Sequence, residues 1–180
     1  MKIPKHLGGH EGVTHTDLDN LLYFKNVLNV KTMIDIGCGP GGMVKLANNS
    51  GIDCLGVDGD YEVIKQHENI IIHDFTNGVL EIDKAFDLAW SCEFVEHVGE
   101  KYVSYYMPLF VKANFVCMTF SEKNGYHHVN KKPQSYWVSL FEKYGFELDK
   151  EITDTIRKNS SMEREFVRER GCFFRKNKND

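Results

Sequence analysis

The stretch "TMIDIGCGPGGMVKLA", residues 32–47, constrains the fold more than any other part of the chain. An apolar, β-branched run carries one acid, Asp35, breaks into a glycine-rich turn and resumes with helical spacing. A strand that reverses so abruptly into a helix needs residues that tolerate positive φ, and glycine also lets a ligand approach the backbone. The free N–H groups where the helix begins form a ready anion site. The run Gly37-Cys38-Gly39-Pro40-Gly41-Gly42 fits G-x-G-x-G and, through Gly42, G-x-G-x-x-G. No Gly-Lys-Ser/Thr follows, which excludes a P-loop.

Strand and helix signals alternate along the remaining chain. A helix is predicted from Thr16 or Asp17, as N-cap, to about Asn29, and another from the glycine turn to near Gly51. Two more lie around "EKYVSYYMPLFVKA" and from Pro133 to near Gly145, and a helical stretch covers Met162 to Arg170. Strands are predicted at 32–36, "DCLGVD", "NIIIHD", "FDLAWS", "NFVCMTF", "FELDKE" and "CFFRK". The fold class is therefore α/β: a Rossmann-like, doubly wound sheet of about seven strands in a single domain. It is mostly parallel, with the last strand antiparallel because the final pair leaves no room for a crossover helix. The expected organisation is an N-terminal lid segment at 1–16, the main domain at 17–175 and a tail at 176–180.

Among 180 residues, a formal net charge of −4 gives no electrostatic reason to expect a polyanion, and no DNA partner is expected. No apolar run reaches the roughly 18 to 20 residues of a membrane span. "MKIPKHLGGHEG" lacks a signal-peptide core, so a cytoplasmic protein is expected. The five cysteines, Cys38, Cys54, Cys92, Cys117 and Cys172, show no Cys-x-x-Cys spacing and are read as reduced.

Asp35 discriminates between ligands of the turn. A carboxylate beside a pyrophosphate repels it, whereas beside an ammonium or sulfonium it attracts. This weighs against a nicotinamide-dependent oxidoreductase. Asp58 ends the second strand, where an acid can take ribose hydroxyls, and Asp74 ends the third, with Phe75 beside it. Three acids thus share the sheet edge at which open α/β folds bind ligands.

The segments "MIDIGCGPGG", "LGVDGD", "IIHDFT" and "FDLAWSCEFVEHV" resemble class I S-adenosylmethionine-dependent methyltransferases, over about residues 17–175. "GGHEGVTHTD", "HHVN" and the later "YW" are also similar to small stand-alone methyltransferases of phage and environmental bacteria. The resemblance implies S-adenosyl-L-methionine as cofactor and S-adenosyl-L-homocysteine as product. It implies that Asp35, Gly37, Cys38, Gly39 and Gly41 line the methionine end, Asp58 and Gly59 the ribose, Asp74 and Phe75 the adenine, and Ser91 the sulfonium.

In this superfamily the loop after the fourth strand holds the reacting centre, here Trp90-Ser91-Cys92-Glu93-Phe94. It lacks the Asp/Asn-Pro-Pro-aromatic run of amino-methylating DNA enzymes and the Pro-Cys of cytosine C5 enzymes, so Cys92 is read as a bystander. "EFVEHV" resembles the Glu-His pair of small-metabolite enzymes, with Glu96 and His97 expected early on the next helix. A hydroxyl acceptor must lose a proton, and histidine suits that near neutral pH. The candidate bases are His97 and two loop clusters, His10 with His15 and His127 with His128. Gly8, Gly9 and Gly12 give the first cluster the flexibility of a closing segment. Trp90, Tyr126, Tyr136 and Trp137 are candidate walls of the acceptor pocket.

The expected activity is O-methylation of a small-molecule or glycan acceptor by in-line displacement with a histidine base. The alternatives are N-methylation of a small amine or of RNA, and a non-catalytic cofactor-binding module. No metal site is expected: the two His pairs with Glu11 or Asp17 could hold a divalent ion, but no His-x-x-x-His spacing supports it.

Overall fold

Seven strands form one sheet: β1 (Thr32–Ile36), β2 (Asp53–Asp58), β3 (Ile70–Ile72), β4 (Phe86–Ser91), β5 (Ala113–Met118), β6 (Phe146–Leu148) and β7 (Cys172–Lys176). The structure is a computed structural model describing residues 4–7 and 9–177; Gly8 of the expected lid and tail positions 178–180 lie outside them. The strand order is β3-β2-β1-β4-β5-β7-β6. The first five strands pair in parallel, and β7 enters antiparallel between β5 and β6. The order reverses at β1, whose partners are β2 on one side and β4 on the other. A crevice opens at the carboxyl ends of strands where that happens.

The helices are α1 (Leu18–Asn26), α2 (Gly42–Asn49), α3 (Val103–Val111), α4 (Gln134–Lys143), α5 (Lys150–Asn159) and α6 (Phe166–Arg170). Successive strand residues point to opposite faces, so adjacent apolar positions divide between two cores. Ile34, Ala89 and Phe174 pack with Tyr106, Phe110, Trp137 and Phe141 of α3 and α4. Met33, Leu88 and Phe173 pack with Leu21, Phe24, Met43, Val44 and Ile156 of α1, α2 and α5. Burial on both faces is why these strands read as continuous apolar runs.

The structure differs from the sequence reading in several places. Strand β3 stops at Ile72, two residues before Asp74, and α6 begins at Phe166 rather than Met162. Helix α1 stops at Asn26, and Asn29 takes a positive φ of 56°. Among the described residues no helix joins β2 to β3; 59–69 is irregular. Strand β6 ends at Leu148, and the "DKE" assigned to it opens α5, capped by Asp149, whose side chain accepts from the Ile152 N–H. Glu96 and His97 sit in a turn that precedes a 3-10 turn at Glu100–Tyr102 and α3, not on a helix. All five cysteines are unpaired, and all but Cys92 are buried.

Asp17 fastens α1 to the segment after α5. Its fully buried carboxylate accepts from the Asn20 N–H at 3.3 Å, Asn20 Nδ2 at 2.8 Å, Ser160 Oγ at 2.6 Å and the Ser161 N–H at 3.1 Å. Removing it loses an N-cap and strands several buried donors. We expect Asp17→Ala to lower the unfolding free energy by about 2–4 kcal/mol, read from urea midpoints.

Candidate active site

The crevice at the strand-order reversal is a cavity of about 300 Å³. Its floor is the glycine turn after β1. The Gly37 and Cys38 N–H groups donate to the Val57 carbonyl at 2.8 and 3.1 Å, which ties the turn to β2. The Gly39 N–H donates to Asp58 Oδ2 at 2.7 Å, and the Asp60 N–H donates to Asp58 Oδ1 at 2.8 Å. Asp35, Gly37, Cys38, Gly39, Asp58, Gly59, Asp74 and Phe75 all line the cavity. Gly41 and Ser91 do not. Gly41 is the N-cap of α2 and packs against Ile70, and the Ser91 hydroxyl donates to the Ile36 carbonyl at 2.8 Å, bracing β4 on β1.

Asp35 is 2% exposed. Burial pushes its carboxyl well above the ordinary carboxylate range, and the neighbouring Asp58 adds to the effect. Among the described residues no lysine, arginine or histidine pairs with Asp35 or Asp58. The floor is thus a buried anionic seat without its own cation, and a ligand bearing ammonium and sulfonium charges fits it.

Residues 4–7 and 9–16 cross the rim. His6 Nε2 lies 3.0 Å from Asp74 Oδ2. Burial raises the Asp74 carboxyl, but hydrogen bonds from His6 and Thr76 outweigh it and hold it below its usual range. His10 Nδ1 accepts from the Gly12 N–H at 2.8 Å, so Nε2 carries the proton and donates to Asp60 Oδ2 at 3.0 Å. Both ring nitrogens of His10 are therefore committed to bracing the rim. Asp60, 3% exposed, carries no sequence signal beyond its place two residues after Asp58.

The far wall gathers ionisable groups from two segments. Glu93 holds a positive φ of 53°, fixed by its N–H donating to Thr119 Oγ1 at 2.9 Å. Such strain in a non-glycine residue concentrates at functional sites. The turn that follows brings His97 back toward Glu93, its N–H donating to the Phe94 carbonyl at 2.9 Å. The Glu96 carbonyl accepts from the N–H groups of Val129 and Asn130 at 2.9 and 3.0 Å, and Asn130 Nδ2 donates to the Val95 carbonyl at 3.3 Å. This staple sets His128 beside His97, the rings edge to face at 4.8 Å. His128 Nδ1 lies 2.9 Å from the Lys123 carbonyl; a carbonyl only accepts, so Nδ1 carries the proton and a neutral ring keeps Nε2 free as an acceptor.

Glu96 is fully buried, and neither carboxyl oxygen has a hydrogen-bond partner; Oε1 of Glu93 has none either. Burial pushes both carboxyls up, and the charge of Glu93 raises Glu96 further. Burial lowers His97 to about 4, helped by His128 and His127, so its ring is neutral at pH 7.

The other candidates are dispersed. His15 lines the cavity, its ring edge to face with Phe166 at 5.2 Å. His127 points toward His6, with centroids 6.3 Å apart, and does not line the cavity. Trp90 and Tyr126 line it; Tyr136 instead donates to Glu100 at 3.0 Å and Trp137 is buried in the core, because α4 packs behind the sheet. Cys92 lines the cavity, its thiol pushed well up by burial and by Glu93. Glu11 is exposed and Asp17 is engaged at the cap of α1, so neither stands with the histidines of the cavity.

Residues 34–107 match the family model described as a methyltransferase domain. No curated protein matches the chain. The fold is shared by solved structures of low identity. The methyltransferase domain of bacterial CtHen1-C is 20% identical, covers 89% of this chain and 97% of its own, and has a TM-score of 0.60. A TehB-like SAM-dependent methyltransferase from Corynebacterium glutamicum ATCC 13032 Kitasato is 16% identical, covers 81% and 80%, and has a TM-score of 0.60. The magnesium protoporphyrin IX methyltransferase of Synechocystis PCC 6803, with bound SAM, is 12% identical, covers 87% and 74%, and has a TM-score of 0.59. Among the described residues no helix is long and apolar enough to cross a membrane.

Proposed function

We propose that this class I S-adenosylmethionine-dependent methyltransferase methylates a hydroxyl group of a small-molecule or glycan acceptor. The carrying observation is the wall opposite the acidic floor, where Glu93, His97 and His128 face the same cavity as Asp35. An amine acceptor in its free-base form needs no such proton-accepting wall, whereas a hydroxyl does.

S-adenosylmethionine supplies a methyl group on a sulfonium, and S-adenosylhomocysteine is what remains after transfer. Asp35 would hold the cationic end, with the backbone of Gly37, Cys38 and Gly39 beside it. Asp58 keeps lone pairs beyond those it gives to Gly39 and Asp60, enough for ribose hydroxyls. Asp74 and Phe75 would hold the adenine end, and Gly41 and Ser91 act only through packing. Residues 4–7 and 9–16 act as a lid pinned by the His6–Asp74 and His10–Asp60 pairs, which keeps water from the reacting groups. The acceptor's proton passes to the neutral imidazole of His97, with His128 and the Glu93 carboxylate beside it to stabilise the charge.

Acceptors bearing hydroxyl, amine or carboxyl groups, RNA included, should be screened by release of S-adenosylhomocysteine, with the product located by NMR. A methyl ether is expected. His97→Ala should cut turnover by about 10²–10⁴ while leaving S-adenosylhomocysteine affinity in place. Methylation at nitrogen alone, or cofactor binding with no turnover on the whole panel, contradicts the reading.

A further inference from the structure

We propose that Glu93, His97 and His128, with Glu96 beside them, form a binding site for one divalent transition cation, seated to the side of the acceptor oxygen and off the line of methyl transfer. The inference rests on the hydroxyl-acceptor reading for its role in catalysis, but the site itself stands on the geometry alone.

Donor atoms of Glu93, His97 and His128 all lie within 4.8 Å of one another, the one such group of three among the described residues. Two imidazoles and a carboxylate converging on one point make a donor set that divalent metals favour. Glu96 is the second, independent observation. A fully buried carboxyl whose oxygens meet no donor except, when one of the two is protonated, the neighbouring acid Glu93 carries a large desolvation cost. The nearby Arg170 guanidinium is engaged with Ser121 at 3.1 Å and Glu169 at 2.9 Å rather than with either acid. A cation between the two acids would remove both the repulsion and the missing partners.

The surroundings fit as well. The Lys123 carbonyl accepts from His128 Nδ1 and so aims Nε2, the outer hydrogen bond that metal-binding histidines ordinarily make. Rigidity comes from the Thr119 contact that fixes Glu93 and from the staple joining Glu96 to Val129 and Asn130. Mixed nitrogen and oxygen donors suit the series from manganese to zinc better than magnesium, which prefers oxygen throughout. With a cation bound, the acceptor oxygen would be acidified by it and its proton would pass to solvent water, so that His97 and His128 would serve as ligands and the base role of His97 would belong to the metal-free site.

The test uses the full chain, stripped with EDTA and desalted, titrated with Mn²⁺ followed by electron paramagnetic resonance and by melting temperature. One Mn²⁺ per chain is expected, with a higher melting temperature. Glu93→Gln should raise the melting temperature of the metal-free protein, by easing the repulsion with Glu96, yet weaken Mn²⁺ binding by at least about 10-fold. His128→Gln should weaken it comparably, with S-adenosylhomocysteine affinity kept in both variants as proof of folding. Absence of Mn²⁺, Co²⁺ and Zn²⁺ binding up to about 1 mM, with S-adenosylhomocysteine still bound, overturns the proposal. Turnover on a hydroxyl acceptor that persists in EDTA overturns the metal's catalytic role and leaves the hydroxyl reading intact. Metal binding joined to methylation of nitrogen alone does the reverse.

Discussion

Asp35→Asn is expected to raise the melting temperature of the ligand-free protein and to weaken S-adenosylmethionine binding by at least about 30-fold. The two effects share one cause. Asp35 is buried, without a cationic partner, and close to Asp58, so its carboxyl sits well above the ordinary range. A group raised in the folded state contributes stability that is present below its unfolded value and is lost as pH rises through the folded value. At neutral pH the wild-type ligand-free protein therefore bears a cost that the asparagine variant lacks, and each kcal/mol recovered is worth about 2–4 °C for a chain of this size. The ligand-free wild type should likewise melt higher as pH falls from neutral toward the raised value, and the variant should show a flatter profile. Scanning fluorimetry reads the stability and calorimetry the affinity. A variant that melts lower and binds normally would show Asp35 to be structural.

Gly37→Ala should be a severely damaging single-methyl change in the cavity floor. Gly37 has φ of 80°, and an added Cβ would lie 2.5–2.7 Å from Cδ2, Cβ and Cγ of Phe94. A left-handed backbone costs alanine about 1 kcal/mol, and forcing a side chain into packed space adds about 1–3 kcal/mol. We expect a loss of about 2–4 kcal/mol by urea unfolding. Phe94 cannot retreat freely, because its ring packs on Phe75 at 5.7 Å and on Tyr106 at 5.4 Å. Its displacement would also shift Glu93 and the turn to His97. Cofactor and acceptor ends should therefore fail together, which a change confined to either end would not do.

The sequence exposes whatever is local. β1, the glycine turn and α2 lie in one run, and β-branched strands buried on both faces announce themselves by continuous apolarity. Helix α5 was hidden because its buried face is narrow, Ile152, Thr153 and Ile156, within a charged stretch. The irregular passage from β2 to β3 carries no signal, since parallel pairing asks only that a connection exist. At the site, Asp35, Asp58 and Asp74 were legible as acids placed at or just beyond strand ends. The far wall was not. The sequence marks both His97 and His128, but its spacing groups His128 with its neighbour His127. The structure joins it instead to His97 through backbone hydrogen bonds between Glu96 and residues 129–130. The other pair is also divided: His10 braces Asp60, while His15 stands against Phe166. Contacts of that range depend on the whole fold, and nothing in the spacing of the histidines encodes them.

The central claim is that two neighbouring carboxylates without a cationic partner, buried Asp35 and half-buried Asp58, seat a positively charged methyl donor. Titration calorimetry of the purified chain with S-adenosylmethionine, beside NADH at the same concentrations, tests it most directly. The account expects one S-adenosylmethionine bound per chain and no heat from NADH; silence with the former, or equal binding of the latter, would contradict it.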